Sequence, residues 1–370
     1  MAMPPSLPGV PSILDGVRKD LERNALRLRN GIKYVAGGEF APIAPTPSDV
    51  VWAQGNVQLR RYRRSGPARF RPPVLIFLGL VGRSYVFDLW EGNSIVALLM
   101  AAGFEPYVLD WGVPDRMDSN NTLETYLRGY LPRAIRSVLA ESGSEQVNLM
   151  TYCMGGCMAL HALAAQPELP VRALVTMASP VDFSKLGSLI DALREGRIAP
   201  ESVLDETGNV PGSLVRESFK SRKPTGDLVN YANLWQSLWN DEYMEGYQAI
   251  GRWLHEHIPV PGALFKQVVA QWLRGNGFLT DSLRLEGKPA PLANIRIPVL
   301  AVIATRDDIT TEPATRPIVT VLTGTKVDLM AVDAGHASLF SGRKAVKAVM
   351  PAVFEWLASH SEEIRVNAAS

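Results

Sequence analysis

The run Leu149-Met150-Thr151-Tyr152-Cys153-Met154-Gly155-Gly156-Cys157 constrains this chain more than any other. Val147 to Met150 is short and apolar and reads as a buried strand. Gly155-Gly156 and the apolar residues that follow read as a tight turn opening into a packed helix over Gly156 to Gln166. A strand that bends sharply into a helix projects the residue at the bend above the sheet. Here that residue is Cys153, at the positive end of a helix, where a thiol is driven towards the reactive thiolate. The usual pattern around such a nucleophile is Gly-x-Nuc-x-Gly. Gly155 supplies the second glycine, whereas Thr151 stands in place of the first and requires a local adjustment. The bland alternative is a buried structural cysteine.

The 370 residues suffice for one large α/β domain with an insertion, or for two domains. A formal net charge of +1 speaks against nucleic-acid binding. The two cysteines, Cys153 and Cys157, form neither a zinc set nor a disulfide framework, so no metal and no cofactor is expected. Met1 to Pro11 is Pro-rich and uncharged, without the pattern of a secretory signal, and no apolar run is long enough to span a bilayer. The expectation is a cytoplasmic protein.

Residues 12–36 have helix-like apolar spacing and read as an amphipathic helix, packed on the body or on a partner. Residues 37–50 are a Gly- and Pro-rich linker. Val51–Gly55 and Val57–Tyr62 read as a strand pair turning at Gly55-Asn56. Strands then alternate with helices: Pro73–Leu78, helix Ile95–Ala102, Pro106–Trp111, helix Thr122–Glu141, Val147–Met150, the elbow helix and Ala173–Met177. That alternation predicts a mostly parallel sheet with helices on both faces. Residues 184–290 carry no convincing strand but many aromatics, among them Tyr231, Trp235, Trp253 and Trp272, and read as a helical lid insertion. Strands resume at Pro298–Ala304 and Lys326–Val332, before a helix over Lys344–Leu357. The organisation expected is a helix and linker over 1–50, a core over 51–183, the lid over 184–290, and the rest of the core over 291–370.

Two further residues complete a catalytic set. Asp307 follows the strand ending at Ala304, and His336 follows the one ending at Val332. The order Cys153, Asp307, His336 is that of nucleophile, acid and base in the α/β-hydrolase fold, with all three at strand mouths. His336 is the expected base, and Asp307 the acid that orients it, with Asp308 the alternative. The Met154 backbone N–H is one expected oxyanion donor, and a second lies near Val81 or Gly82. Tyr152 reads either as a substrate contact or as packing of the elbow. His161, His255, His257 and His360 do not follow strands, and His161 reads as a packing or surface residue. A cysteine nucleophile exchanges one thioester for another at little free-energy change, so the chemistry leans towards acyl transfer.

Beyond the elbow, the chain carries Leu80-Val81-Gly82-Arg83-Ser84-Tyr85, Pro106-Tyr107-Val108-Leu109-Asp110-Trp111-Gly112 and Tyr152-Cys153-Met154-Gly155-Gly156. It also carries Leu174-Val175-Thr176-Met177-Ala178-Ser179-Pro180, Gly208-Asn209-Val210-Pro211-Gly212, Asn276-Gly277-Phe278-Leu279 and Arg306-Asp307-Asp308-Ile309. From about Pro73 to Leu357 the sequence resembles the polyhydroxyalkanoate synthases, most closely the short class III catalytic subunits. The resemblance implies a 3-hydroxyacyl-CoA substrate, a polyester product and free CoA, with Cys153 acylated, His336 as base and Asp307 supporting activation of the attacking hydroxyl. It also implies a non-catalytic partner subunit, a homodimer or hetero-oligomer, and a place at polymer granules. Thr151 and Asp308 depart from the family pattern, which has glycine and histidine there. Against this stand a cysteine esterase, thioesterase or polyester depolymerase, and a non-catalytic granule- or subunit-binding scaffold.

Overall fold

A computed structural model describes residues 10–220 and 234–364. Its centre is an eight-stranded sheet: β1 (Ser48–Gln54), β2 (Val57–Tyr62), β3 (Val74–Leu78), β4 (Pro106–Asp110), β5 (Val147–Tyr152), β6 (Val171–Met177), β7 (Val299–Ala304) and β8 (Val327–Val332). The order across the sheet is β1-β2-β4-β3-β5-β6-β7-β8. The first two strands are antiparallel to each other, and β2 is antiparallel to β4. Every other neighbour is parallel. Strands β3, β5 and β7 are buried along their whole length, as the apolar runs of β3 and β7 require when both faces are covered, while the buried polar Asn148 and Thr151 of β5 are hydrogen-bonded.

Strand alternation divides the core. Leu75, Phe77, Val147 and Leu149 face one layer, formed by α3 (Leu131–Ser142) and α4 (Met154–Ala165). Val74, Ile76, Leu78, Met150 and Tyr152 face the other, formed by α2 (Ile95–Ala101) and the C-terminal helix Met350–Ser359. The helix expected over Thr122–Glu141 starts with a π-helical stretch, Thr125–Tyr130, before α3.

Between β6 and β7 the chain forms α5 (Ser188–Arg194), α6 (Gly212–Lys220), α7 (Asp241–His255) and α8 (Gly262–Gln267). The expectation of no strand here is corrected in detail. Asn209–Val210 pairs with Val260–Pro261, and Arg284–Leu285 with Lys288–Pro289. Two-residue ladders are too short to leave a period-two pattern. The aromatics of this segment do not act as one surface. Trp272 and Phe278 are fully buried and pack with His161 and Phe183, whereas Trp235 is exposed. Tyr231 lies outside the described residues. His161 is buried beside this cluster: its Nδ1 accepts from the Trp272 indole at 3.2 Å, and its Nε2 donates to the Arg284 carbonyl at 3.1 Å. Burial lowers its pKa to about 4, so it packs as a neutral ring.

The N-terminal helix α1 spans Val10–Val35 and rests against the loop before α7. Among the described residues no helix is long and apolar enough to cross a membrane, and no cluster of His, Cys, Asp and Glu could hold a metal ion.

Candidate active site

Cys153 sits between the end of β5 and the start of α4 with φ 54° and ψ −128°. An L-residue rarely adopts such a conformation, and the surroundings hold it. The Cys153 N–H bonds the Met177 carbonyl at 2.8 Å, and its carbonyl accepts from Gly156 N–H at 3.0 Å. The two glycines that follow are needed for close approach. A Cβ on Gly155 would lie 2.8–2.9 Å from the Leu78 backbone, and one on Gly156 would collide with Ser179. The helix therefore starts against the end of β3. Thr151, where a third glycine was expected, is buried, and its Oγ1 donates to the Val175 carbonyl at 2.9 Å. The neighbouring strand absorbs the extra side chain, which is the adjustment that this residue requires.

The loops after β7 and β8 bring the other two candidates together. Thr305 N–H bonds the Val332 carbonyl at 2.9 Å and Arg306 N–H bonds the Ala334 carbonyl at 3.0 Å, which ties the loops side by side. His336 Nδ1 then donates to Asp307 Oδ2 at 2.6 Å. Asp307 is buried and Asp308 is exposed, so Asp307 is the acid that meets His336. Its Oδ1 accepts from Ile309 N–H at 2.7 Å and Thr310 N–H at 2.8 Å, and Thr310 Oγ1 donates to Oδ2 at 2.9 Å. Burial opposes the charge on Asp307, but these donors and His336 hold its pKa below the ordinary range. Thr310 was missed in the sequence. Its only trace there is a hydroxyl three residues beyond Asp307, a spacing that recurs in ordinary Asx turns.

Cys153 also lies close enough to the His336 ring to act on its protonation. Burial alone would lower the His336 pKa. Cys153 and Asp307 outweigh it and raise the value to about 9. The structure thus brings Cys153, His336 and Asp307 together at the C-terminal mouths of β5, β8 and β7.

Tyr152 points to the opposite face of β5 from Thr151. Its ring packs edge-on against Phe340 at 4.6 Å and lies 4.9 Å from the His336 ring. Phe340 in turn meets Trp253 of α7 at 5.8 Å. Trp253 donates its indole N–H to the Arg83 carbonyl at 2.8 Å and sits so close to Gly82 that a Cβ there would approach it to 2.9 Å. Val81 is half-buried in the same loop, which Ser84 anchors by donating to Asp110 at 2.7 Å. Met154 opens α4, where first-turn N–H groups have no partner within the helix. A cavity of about 630 Å³, lined by Arg61, Arg63, Arg64 and Glu105 among others, opens at the opposite edge of the sheet and is no part of this site.

Comparison with known proteins agrees with this arrangement. A family model described as the alpha/beta hydrolase fold matches residues 72–342. The chain is 30% identical over 348 residues to the poly(3-hydroxyalkanoate) polymerase subunit of Allochromatium vinosum, covering 93% of this chain and 97% of that one. It is 29% identical over 322 residues to the corresponding subunit of Haloferax mediterranei, covering 86% of this chain and 65% of that one. Among solved structures, the monoacylglycerol lipase of Paleococcus ferrophilus shares the fold with a TM-score of 0.50 at 19% identity, over 82% of this chain and 99% of that one. A hydrolase from Pseudomonas aeruginosa gives 0.51 at 16% identity, over 85% and 99%. Strand order, elbow and extended sequence similarity converge, and the chain belongs to the poly(3-hydroxyalkanoate) polymerase family, acyltransferases built on the α/β-hydrolase fold.

Proposed function

We propose that this protein polymerises 3-hydroxyacyl-CoA into polyhydroxyalkanoate through a thioester on Cys153, with release of CoA. The observation that carries the reading is the His336–Asp307 pair beside Cys153 at the elbow, found in a chain of this family. In the first half-reaction His336 takes the Cys153 thiol proton and Sγ attacks the acyl-CoA carbonyl carbon. The new C–S bond forms, the bond to the CoA sulfur breaks, and His336 returns the proton to the departing CoA. In the second, His336 takes the proton of a hydroxyl, on a further hydroxyacyl unit or the growing chain, as its oxygen attacks the thioester carbonyl. The ester forms, and the Cys153 sulfur leaves and recovers the proton. Asp307 holds the His336 ring in one tautomer throughout and stabilises its charged form.

The Met154 N–H, with a second donor from the loop at Val81, would hold the negative oxygen that develops in each step. Tyr152 and Gly82 border the acyl site, and the segment with Trp253 acts as a lid that keeps water from the thioester. No metal or cofactor enters the scheme. The same reading has the enzyme oligomeric, working with a non-catalytic subunit at polymer granules in the cytoplasm.

The test is incubation of the purified protein with 3-hydroxybutyryl-CoA, with and without such a subunit, followed by chromatography of CoA and assay for insoluble polymer. CoA release with polymer, both abolished in Cys153→Ala, is the expected result. Polymer made by Cys153→Ala would remove the covalent role. Soluble hydroxyacid with no polymer would make the protein a thioesterase.

A further inference from the structure

Thr310 touches both members of the acid–base pair. It is buried. Its backbone N–H donates to Asp307 Oδ1 at 2.8 Å and its hydroxyl to Oδ2 at 2.9 Å, while the hydroxyl oxygen also lies 3.1 Å from His336 Nδ1. A carboxylate offers about four acceptor sites. Here Ile309 N–H, Thr310 N–H, the Thr310 hydroxyl and His336 Nδ1–H supply four donors. An ionised carboxylate only accepts, so the single hydroxyl proton of Thr310 goes to Oδ2. A lone pair of the hydroxyl is then left facing Nδ1. That favours the tautomer with its proton on Nδ1, which leaves the other ring nitrogen bare to act as base.

Thr310 and His336 both donate to Oδ2, and each draws negative charge from the oxygen that the other uses. The titratable groups that face the ring are Asp307 from the loop after β7, and Cys153 and Tyr152 from the end of β5; burial keeps Tyr152 neutral. Arg306, Asp333 and Lys344 of the same loops are exposed and pair among themselves, and Asp308 is exposed. Once Cys153 is acylated its sulfur carries no charge, so Asp307 is left as the neighbour that stabilises charged His336. Yet in that state the ring must be neutral to take a proton from the attacking hydroxyl. We infer that Thr310 is a positioning residue for this second half-reaction: by donating to Asp307 it weakens the carboxylate's stabilisation of charged His336, and so keeps the base free to accept the hydroxyl proton.

The step is that of the proposed reaction, but the titration can be read without substrate. Cys153→Ala removes the thiolate and isolates the effect of Asp307. In that background the His336 titration, followed by NMR of the ring and assigned through His336→Gln, should lie about half a unit to one unit higher in Thr310→Val. Thr310→Ser keeps the hydroxyl and should return it. With Cys153 intact, steady turnover of 3-hydroxybutyryl-CoA near neutral pH should fall by about three- to tenfold in Thr310→Val and recover as the pH is raised. Thr310→Ser should recover it without a change of pH. A titration that stays in place or moves down in Thr310→Val overturns the inference. So does a loss of turnover that is equal at every pH, which would leave Thr310 a packing role only. Failure of the proposed reaction itself would look different: the parent protein would make no polymer, while the His336 titration would still move with Thr310.

Discussion

His336 and Asp307 are joined by a 2.6 Å hydrogen bond across the loops that close β7 and β8, and Thr310 braces both of them: its hydroxyl lies 2.9 Å from the carboxylate and 3.1 Å from the imidazole. In Asp307→Asn the side chain no longer offers His336 a charge, and the ring can settle in the wrong tautomer. CoA release should fall by about 10²–10⁴-fold. Initial rates compared with the parent protein check this, and a rate within threefold of the parent, roughly half a kcal/mol in barrier, would deny Asp307 its role.

The raised pKa of His336 predicts a direction for stability against pH. A group whose folded pKa lies above its unfolded value stabilises fully below the unfolded value, about 6.5, and that contribution disappears as pH rises through about 9. Urea unfolding of the parent and of His336→Gln at pH 6 and pH 10 should show a stability difference that shrinks at the higher pH. A difference that grows would mean that the imidazole is not held protonated by its two neighbours.

Thr151→Gly should be destabilising, although glycine is the residue expected at this position of the elbow. The substitution removes the bond to the Val175 carbonyl and frees the backbone of a central strand, at a combined cost of about 1–2 kcal/mol. Thr151→Ser keeps the hydroxyl and should recover part of the loss. Chemical denaturation of the three proteins measures it. Equal stability would show that the strand accepts either residue.

Trp253→Ala removes a nearly buried indole, its bond to Arg83 and its contact with Phe340. The expected cost is about 3–5 kcal/mol. Under the proposed reaction, the product balance should also shift from polymer towards soluble hydroxyacid, since water gains access to the thioester. An unchanged product ratio in Trp253→Ala, with stability lost, would leave Trp253 a packing role only.

The sheet and the placing of Cys153, Asp307 and His336 at strand ends were legible because they depend on local pattern. Apolar runs mark β3 and β7, and Cys153, Asp307 and His336 each follow a core strand, although Asn148 and Thr151 interrupt the apolar pattern of β5 and Asp328 that of β8. The choice between Asp307 and Asp308 was not settled by spacing, since both stand at the same strand end. It depends on which one the loop turns inward, and that is set by backbone donors at Ile309 and Thr310. The inserted segment was harder to read. Trp253, Trp272 and Trp235 are one residue type in one block, yet they brace the loop after β3, fill the core and face solvent respectively. Their fates are decided by long-range packing. Periodicity also marked α1 as amphipathic, but not that the buried amide of Asn30 ties it to the Leu238 carbonyl and Asp241.

The bond from Trp253 to the Arg83 carbonyl joins two parts of the molecule that lie 170 residues apart in the chain. One end belongs to the inserted helix, and the other to the loop that leaves β3 beside Cys153. Displacement of the helix must either break that bond or drag the loop with it. Helix α7 and the strand-end loop therefore act as a latch and its keeper: the seated indole adds a second brace to a loop that Ser84 already ties to Asp110.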